Sequence, residues 1–262
     1  MNGFFAPLKP VPPGLRAALA VACFVLFFVG WGIATYGGFV KPLFLASPGT
    51  TLASGYELFA KFGFTADIGV TVARVFAGFA LAVLVAVPLG ILMGAFKPVE
   101  AFFSGFTSFA RYLPASAFIP LLILWAGVGE LQKVLVIFIG SVFQLVIMIA
   151  VIVGAVRTDL VEAAYTLGAS RRGVVLRVLL PAAAPQVFEA LRLVLGWAWT
   201  YVIVAELVGA SQGIGHMIIE AQRFLDTGQM IFGIFIIGLI GLITDVAFQA
   251  MNARLFPWVR GR

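Results

Sequence analysis

Charge is what this chain has least of. Only 11% of its 262 residues are Asp, Glu, Lys or Arg, whereas 62% are hydrophobic and the mean hydropathy is +1.11. A soluble domain carries about a quarter charged residues, so water is not the main solvent of this chain. Cysteine and histidine are almost absent, with one of each, Cys23 and His216. A single cysteine excludes a disulfide framework and metal-ligand spacing, and Cys23, set in an apolar run, reads as a small buried hydrophobe. His216, with no second histidine or nearby cysteine, reads as a loop residue rather than a metal ligand. Grouping it with Glu220 or Asp226 would be the route to a membrane-embedded enzyme, but no motif of specific spacing supports one. The chain has no Gly-x-x-x-x-Gly-Lys-Ser/Thr phosphate loop and so is not expected to hydrolyse ATP itself. Short alternating strands are missing too, which argues against a β-barrel.

What is present is long apolar runs. Residues 17–40, 75–96 and 134–156 contain no charged side chain. Each is long enough to span a hydrocarbon core of about 30 Å. Backbone groups there must bond within the segment, so helices are expected. The reading is an all-α, polytopic membrane protein, a single transmembrane domain over 1–262. Six spans are expected, at 17–38, 67–96, 101–124, 132–156, 184–208 and 229–252. The longest connection, 39–66, carries an amphipathic stretch from Tyr56 to Phe62 that is expected at the membrane surface. Lys9 and Arg16 before the first run resemble a secretory signal, but the run is too long and lacks a clear cleavage site, so an uncleaved span is expected.

Net charge is +6 and the pI about 9.8. The basic residues fringe the spans, which points to membrane orientation rather than to nucleic acid. With the N-terminus inside, the inner segments hold Lys9, Arg16, Lys97, Arg157, Arg171, Arg172, Arg177, Arg254, Arg260 and Arg262. The outer ones hold Lys41, Lys61, Lys133 and Arg223. This bias places both termini and the 157–183 segment on the cytoplasmic side.

Breakers interrupt two spans: Pro88 and Gly90 in the second, Pro114 and Pro120 in the third. A kinked structural helix and a helix lining a pathway both fit. Charges within spans are costly and usually face protein or a water-filled path. Arg74 and Arg111, with Tyr112 and Pro114, are the candidate substrate pathway. The alternative for the arginines is snorkelling or pairing with carboxylates, Glu189 being one candidate for Arg111. Glu189 and Arg192, three apart, can pair with each other.

The polar segment 157–183 is a helical hairpin by local rules. Asp159 can cap a short helix with Glu162 three residues on. Gly168 can stop it in a left-handed conformation. Ser170 can cap a second helix through Val174, Val175, Val178 and Leu179, and Pro181 is expected to break that run before the fifth span.

The full spacing is Glu162-Ala163-Ala164, three residues, Gly168, nine residues, Val178, one residue, Leu180-Pro181. It resembles the cytoplasmic EAA signature of permease subunits of ABC importers. Other segments resemble the nitrate/sulfonate/taurine permease group: Leu113-Pro114, Phe118 to Trp125, Gly127 to Glu130, Glu206 to Ser211, Gly213-Ile214-Gly215 and Ala221-Gln222. The likeness covers about residues 65 to 255, and His216 departs from it where an aromatic is expected. It implies the type I ABC importer permease fold in a bacterial inner membrane. The hairpin would be a coupling helix in a groove of an ATPase, using Glu162, Ala163, Ala164, Gly168, Ala169, Ser170, Arg171, Arg172 and Pro181. It also implies two ATPase subunits carrying ATP and Mg, a second permease copy as a homodimer, surrounding lipid, and a periplasmic or lipid-anchored solute-binding protein. By size alone, Gly233, Gly238 and Gly241 in the sixth span would allow close helix packing, either at the pairing or within one subunit. The group mostly moves small anions (nitrate, bicarbonate, taurine and other sulfonates), while some members move neutral or cationic metabolites.

Overall fold

The computed structural model describes residues 11–259, without the side chains of Pro13 and Val259. Lys9, Arg260 and Arg262 of the inner-charge set therefore lie outside the described residues. The chain divides into two compact units, Met1–Phe62 with Ala221–Phe232, and Gly63–Glu220 with Gly233–Arg262.

In the first unit, α1 (Pro13–Tyr36) carries Arg16 as its one charged residue and exposes nearly its whole length. The amphipathic stretch becomes α2 (Pro48–Lys61), capped by the Ser47 hydroxyl, which accepts from the Thr50 amide. Trp31 donates to the Ala46 carbonyl, and the Tyr36 hydroxyl accepts from Gly49.

The second unit is built on α3 (Phe64–Ala95), α6 (Glu130–Gly154) and α9 (Leu180–Glu206), with α6 packed against both others. The reason for the tightest pairing is a row of small residues four apart on α3: Gly78, Ala82, Ala86, Gly90 and Gly94. They form one ridge, against which Ile137, Ile149 and Val153 of α6 lie. Small side chains let helix backbones approach closely in lipid. A Cβ added at Gly90 would sit 2.7 Å from the Ile149 Cβ and 2.9 Å from the Val146 carbonyl oxygen. The backbone carbonyl cannot step aside as a flexible side chain could. Gly90→Leu is therefore expected to cost about 3 kcal/mol or more and to leave little monodisperse protein after detergent extraction. Gly105→Leu, where an added Cβ meets nothing within 4 Å, is the control and should behave as wild type.

Among the described residues, five helical segments are long and apolar enough to cross a membrane, or six if one bent pair counts as a span. Five of the expected spans, 17–38, 67–96, 132–156, 184–208 and 229–252, fall within these segments to within a few residues, the last being α11 (Thr227–Leu255). Two expectations need correction. The third span, 101–124, is not one helix. It is α4 (Lys97–Ala110) followed by a one-turn 3-10 segment (Ala115–Phe118) and α5 (Ile119–Ala126), bent by 83°. Pro114 disfavours the helical region for Leu113, and Pro120 fits only in a helix's opening turn. Nor does Pro181 break the hairpin from the fifth span. From α8 (Arg171–Val174) the chain runs through a π turn (Val175–Leu179) into α9 as one 36-residue segment. The Leu180 amide bonds back five residues to Val175, and this extra residue accommodates the proline without ending the helix.

Candidate functional site

Three places in the second unit carry the polar chemistry. The first is the hairpin. Here α7 (Thr158–Thr166) ends in a Schellman turn. Gly168 takes φ +83°, its amide donates to Tyr165, and the Ala169 amide donates to Ala164. The Ser170 hydroxyl then caps α8, accepting from the Gly173 amide at 3.2 Å. Asp159 is not the cap of α7. The helix begins one residue earlier, at Thr158, which puts Asp159 in its first turn, where a carboxylate favours the dipole. The carboxyl bonds the Arg157 guanidinium, which holds it below its ordinary range. Glu162, freed from a capping role, is exposed.

Faces of the hairpin separate cleanly. Val161, Ala164 and Ala169 pack on the core with buried Val174. Glu162, Ala163, Gly168, Ser170, Arg171, Arg172 and Pro181 point away from it. Of the two signature alanines, then, one seats the hairpin on its own subunit and the other is presented outward. Two apolar side chains that sequence reasoning missed share that outer surface: Leu167, 87% exposed, and Tyr165, 49% exposed. Their signal was local, since the residue before a helix-stopping glycine must project from the turn.

The second place is an ion-pair cluster at the opposite end of α6 and α9. Arg74, 3% exposed, donates from Nη1 to Glu206 Oε1 at 2.8 Å, and from Nε and Nη2 to the two Glu130 oxygens at 2.6 and 2.5 Å. The segment Gln212 to Gly215 is held by Arg74 and Glu206 together with Asp67 and Thr71. Gln212 offers its carbonyl to Arg74, Gly213 donates to Asp67, Ile214 to Thr71, and Gly215 to Glu206, at 2.6 to 2.9 Å. A Cβ at Gly213 would lie 2.6 Å from the Glu206 carboxyl carbon, and φ there is +116°. Arg74 is thus fully engaged as a clasp between α3, α6, α9 and this loop. Nearby, buried Lys133 donates to the Gly129 carbonyl at 3.0 Å.

The third place is a cavity of about 340 Å³ at the Pro114 bend, walled by α6 and α9. Arg111, Tyr112 and Pro114 line it together, as do Gln144 and Tyr201. The Arg111 guanidinium stacks 4.7 Å over the Tyr112 ring and donates to its hydroxyl at 2.7 Å. A Cβ added at Gly140 would lie 2.6 Å from the Tyr201 ring. Arg111 does not meet Glu189, which instead forms an ion pair with Arg192 at 3.0 Å and accepts from the Asn252 amide at 2.6 Å. Arg74 lies apart from this cavity, so the two arginines grouped by the sequence separate. His216 sits in α10 (Ile214–Arg223), 3.4 Å from Glu220. Asp226 accepts instead from the Gln229 amide at 2.9 Å.

With a capped polar hairpin between two spans and a helix bent at its prolines, the comparison with known proteins is direct. Residues 86–260 match the family model of the binding-protein-dependent transport system inner membrane component. The chain belongs to that family. Within it, the chain is 33% identical over 240 residues to the taurine transport system permease protein TauC of Escherichia coli (strain K12), covering 89% of this chain and 86% of that one. A Bacillus subtilis (strain 168) protein named for aliphatic sulfonates transport is 32% identical over 228 residues, covering 87% and 83%. In fold the chain resembles the inward-facing MetNI methionine ABC transporter, with a TM-score of 0.58 at 20% identity over 72% of this chain and 96% of that one. The permease belongs to the nitrate/sulfonate/taurine group and has the type I importer fold.

Proposed function

We propose that this chain forms the translocation pathway of an ATP-driven importer for a small anion of the nitrate, sulfonate/taurine or bicarbonate type, received from a solute-binding protein. The observation that carries the coupling is the hairpin, rigidly capped at Gly168 and Ser170 and fused to α9, with Ala163, Leu167 and Arg171 facing away from the subunit. Two ATPase subunits, each with its own ATP and Mg, dock there. Leu167 and Tyr165 enter the docking groove, and Arg171 and Arg172 supply charge. A second copy of the chain completes the pathway, so that each ATPase has one hairpin. Both termini and the 157–183 segment face the cytoplasm across the inner membrane, and the whole of 1–262 works as one transmembrane domain. The Arg111 cavity, rather than Arg74, is the contact for the anion. Alternating access follows: ATP closes the ATPases, the hairpins are drawn together, and the spans open toward the binding protein.

The test is reconstitution of the permease with its ATPase and binding protein in proteoliposomes. Anion import is expected only when ATP and both partners are present, and native mass measurement should count two permease copies. Import without ATP, or a complex with one permease copy and no second permease, would sink the proposal.

A further inference from the structure

A second cavity, of about 390 Å³, lies along α4 and α6 and begins one helical turn from where the Pro114-bend cavity ends. On α4, Ser108 of the second cavity is three residues from Arg111 of the first. On α6, Ile147 of the second is three residues from Gln144 of the first. Farther along α6, Val151 and Gly154 continue the same spacing, so one face of that helix lines both cavities. Together they make a groove floored by α6. It ends at Gly154, directly before the hairpin.

The polar wall of the lower part is α4, whose two exposed flanks differ. One carries Ser104 and Ser108, with Lys97 and Glu100 at the mouth. The other carries Phe102 and Phe109, 79% and 64% exposed, which suit lipid. The serines and these phenylalanines are at least about 100° apart around the helix. Thr107 returns its hydroxyl to the Phe103 carbonyl at 2.9 Å. The Ser104 and Ser108 hydroxyls bond no described residue and stand open to the groove. At the mouth Lys97 and Glu100 pair with each other at 2.7 Å, so no unbalanced charge would hold a solute there.

We propose that this groove is the release route: a solute leaving the Arg111 cavity passes between α4 and α6, touches the Ser108 and Ser104 hydroxyls in turn, and is freed beside Lys97. The inference rests on the import reading and adds the exit to it. A hydroxyl donates and accepts without charge, so each contact is weak and lets a polar solute go. Because the floor of the mouth runs straight into the hairpin, the ATPase that draws the hairpin acts on the exit first.

Single-cysteine variants of a Cys23→Ser background test this, as the permease–ATPase complex in nanodiscs treated with the impermeant thiol reagent 2-sulfonatoethyl methanethiosulfonate. Ser104→Cys and Ser108→Cys exchange one small side chain for another and should assemble. Without nucleotide, both should label at least about tenfold faster than Phe102→Cys and Phe109→Cys, since the reactive thiolate forms in water and not in lipid. Trapping with ATP and vanadate should slow both serine positions by about tenfold or more, because the hairpin side then closes. A wet cleft outside the passage would keep its rate. In proteoliposomes with the binding protein, Ser108→Trp should lower import at least about tenfold while ATP hydrolysis continues. Phe102→Trp should import normally. Serine positions that label no faster than the phenylalanine positions, labelling unchanged by trapping, or normal import by Ser108→Trp overturns the inference. Import by the unaltered system keeps the two readings apart. If it imports nitrate, taurine or butanesulfonate while these results fail, only the exit route falls. If it imports none of the three, the anion-import reading falls and the route with it.

Discussion

Arg74→Leu is expected to yield little folded protein. It leaves the Glu206 carboxylate, whose side chain is fully buried, without its cation. Removing one partner of a buried pair costs about 3–5 kcal/mol, a large share of a total stability of about 5–15 kcal/mol. The damage should concentrate at one end of the bundle, because Gln212 accepts from Arg74 and Gly215 donates to Glu206. Three measurements separate this from a transport role. Glu130→Gln should be mild, since that side chain is 65% exposed and an exposed pair contributes at most about 1 kcal/mol. The double change Arg74→Leu with Glu206→Leu should recover much of the lost thermal stability, as apolar replacements of a buried pair often do. Hydrogen exchange in the single variant should rise first in residues 207–215. An Arg74→Leu protein as stable as wild type would show that the clasp carries nothing.

Gly168→Trp should abolish import while leaving insertion intact. At φ +83° any L side chain other than Asn or Asp is strained, by about 1–2 kcal/mol. An added Cβ meets nothing of this subunit within 4 Å. A tryptophan there therefore projects from the hairpin toward whatever docks on it. The series Gly168→Asn, Gly168→Ala, Gly168→Trp separates backbone from bulk. Asparagine tolerates the left-handed turn and should import nearly normally, alanine should lose a part, and tryptophan should hydrolyse ATP without transport or fail to bind the ATPase. Normal, coupled import by the tryptophan variant would remove the hairpin from the docking surface.

Much of this molecule was legible because membrane solvent enforces simple rules. Long apolar runs gave the spans, and the hairpin was readable at Gly168 and Ser170 because both solve a local backbone problem. Where the reading left alternatives open, the deciding partner was distant in sequence. Arg74 read as a pathway residue or as one paired with an unnamed carboxylate, and only the fold brings Glu206, 132 residues away, onto its guanidinium. The same cluster explains segments that had been only points of resemblance: Glu130 and Glu206 accept from that arginine, and Gly213, Ile214 and Gly215 donate to Asp67, Thr71 and Glu206 around it. Pro114 and Pro181 show the limit from the other side. Both are prolines at a helix junction, yet one accompanies an 83° bend and the other is absorbed by a π turn. The row from Gly78 to Gly94 was in plain view at a spacing of four and went unread, because its meaning lies in the backbone of α6.

The unbroken segment from Arg171 to Glu206 makes the hairpin's second half and the cavity's wall two ends of one lever. Ser170 caps its near end, Trp197 and Tyr201 face the cavity farther along, and Glu206 is clasped at the tip. From Glu206 back to Arg171 the rod is roughly 50 Å long at about 1.5 Å per residue, so a tilt of about 5° about the clasped tip displaces the hairpin end by roughly 4 Å. That is more than the width of a water molecule, reached without unfolding a turn. A motion of Tyr201 too small to break the clasp is thus amplified, by length alone, into one of several ångströms at the hairpin.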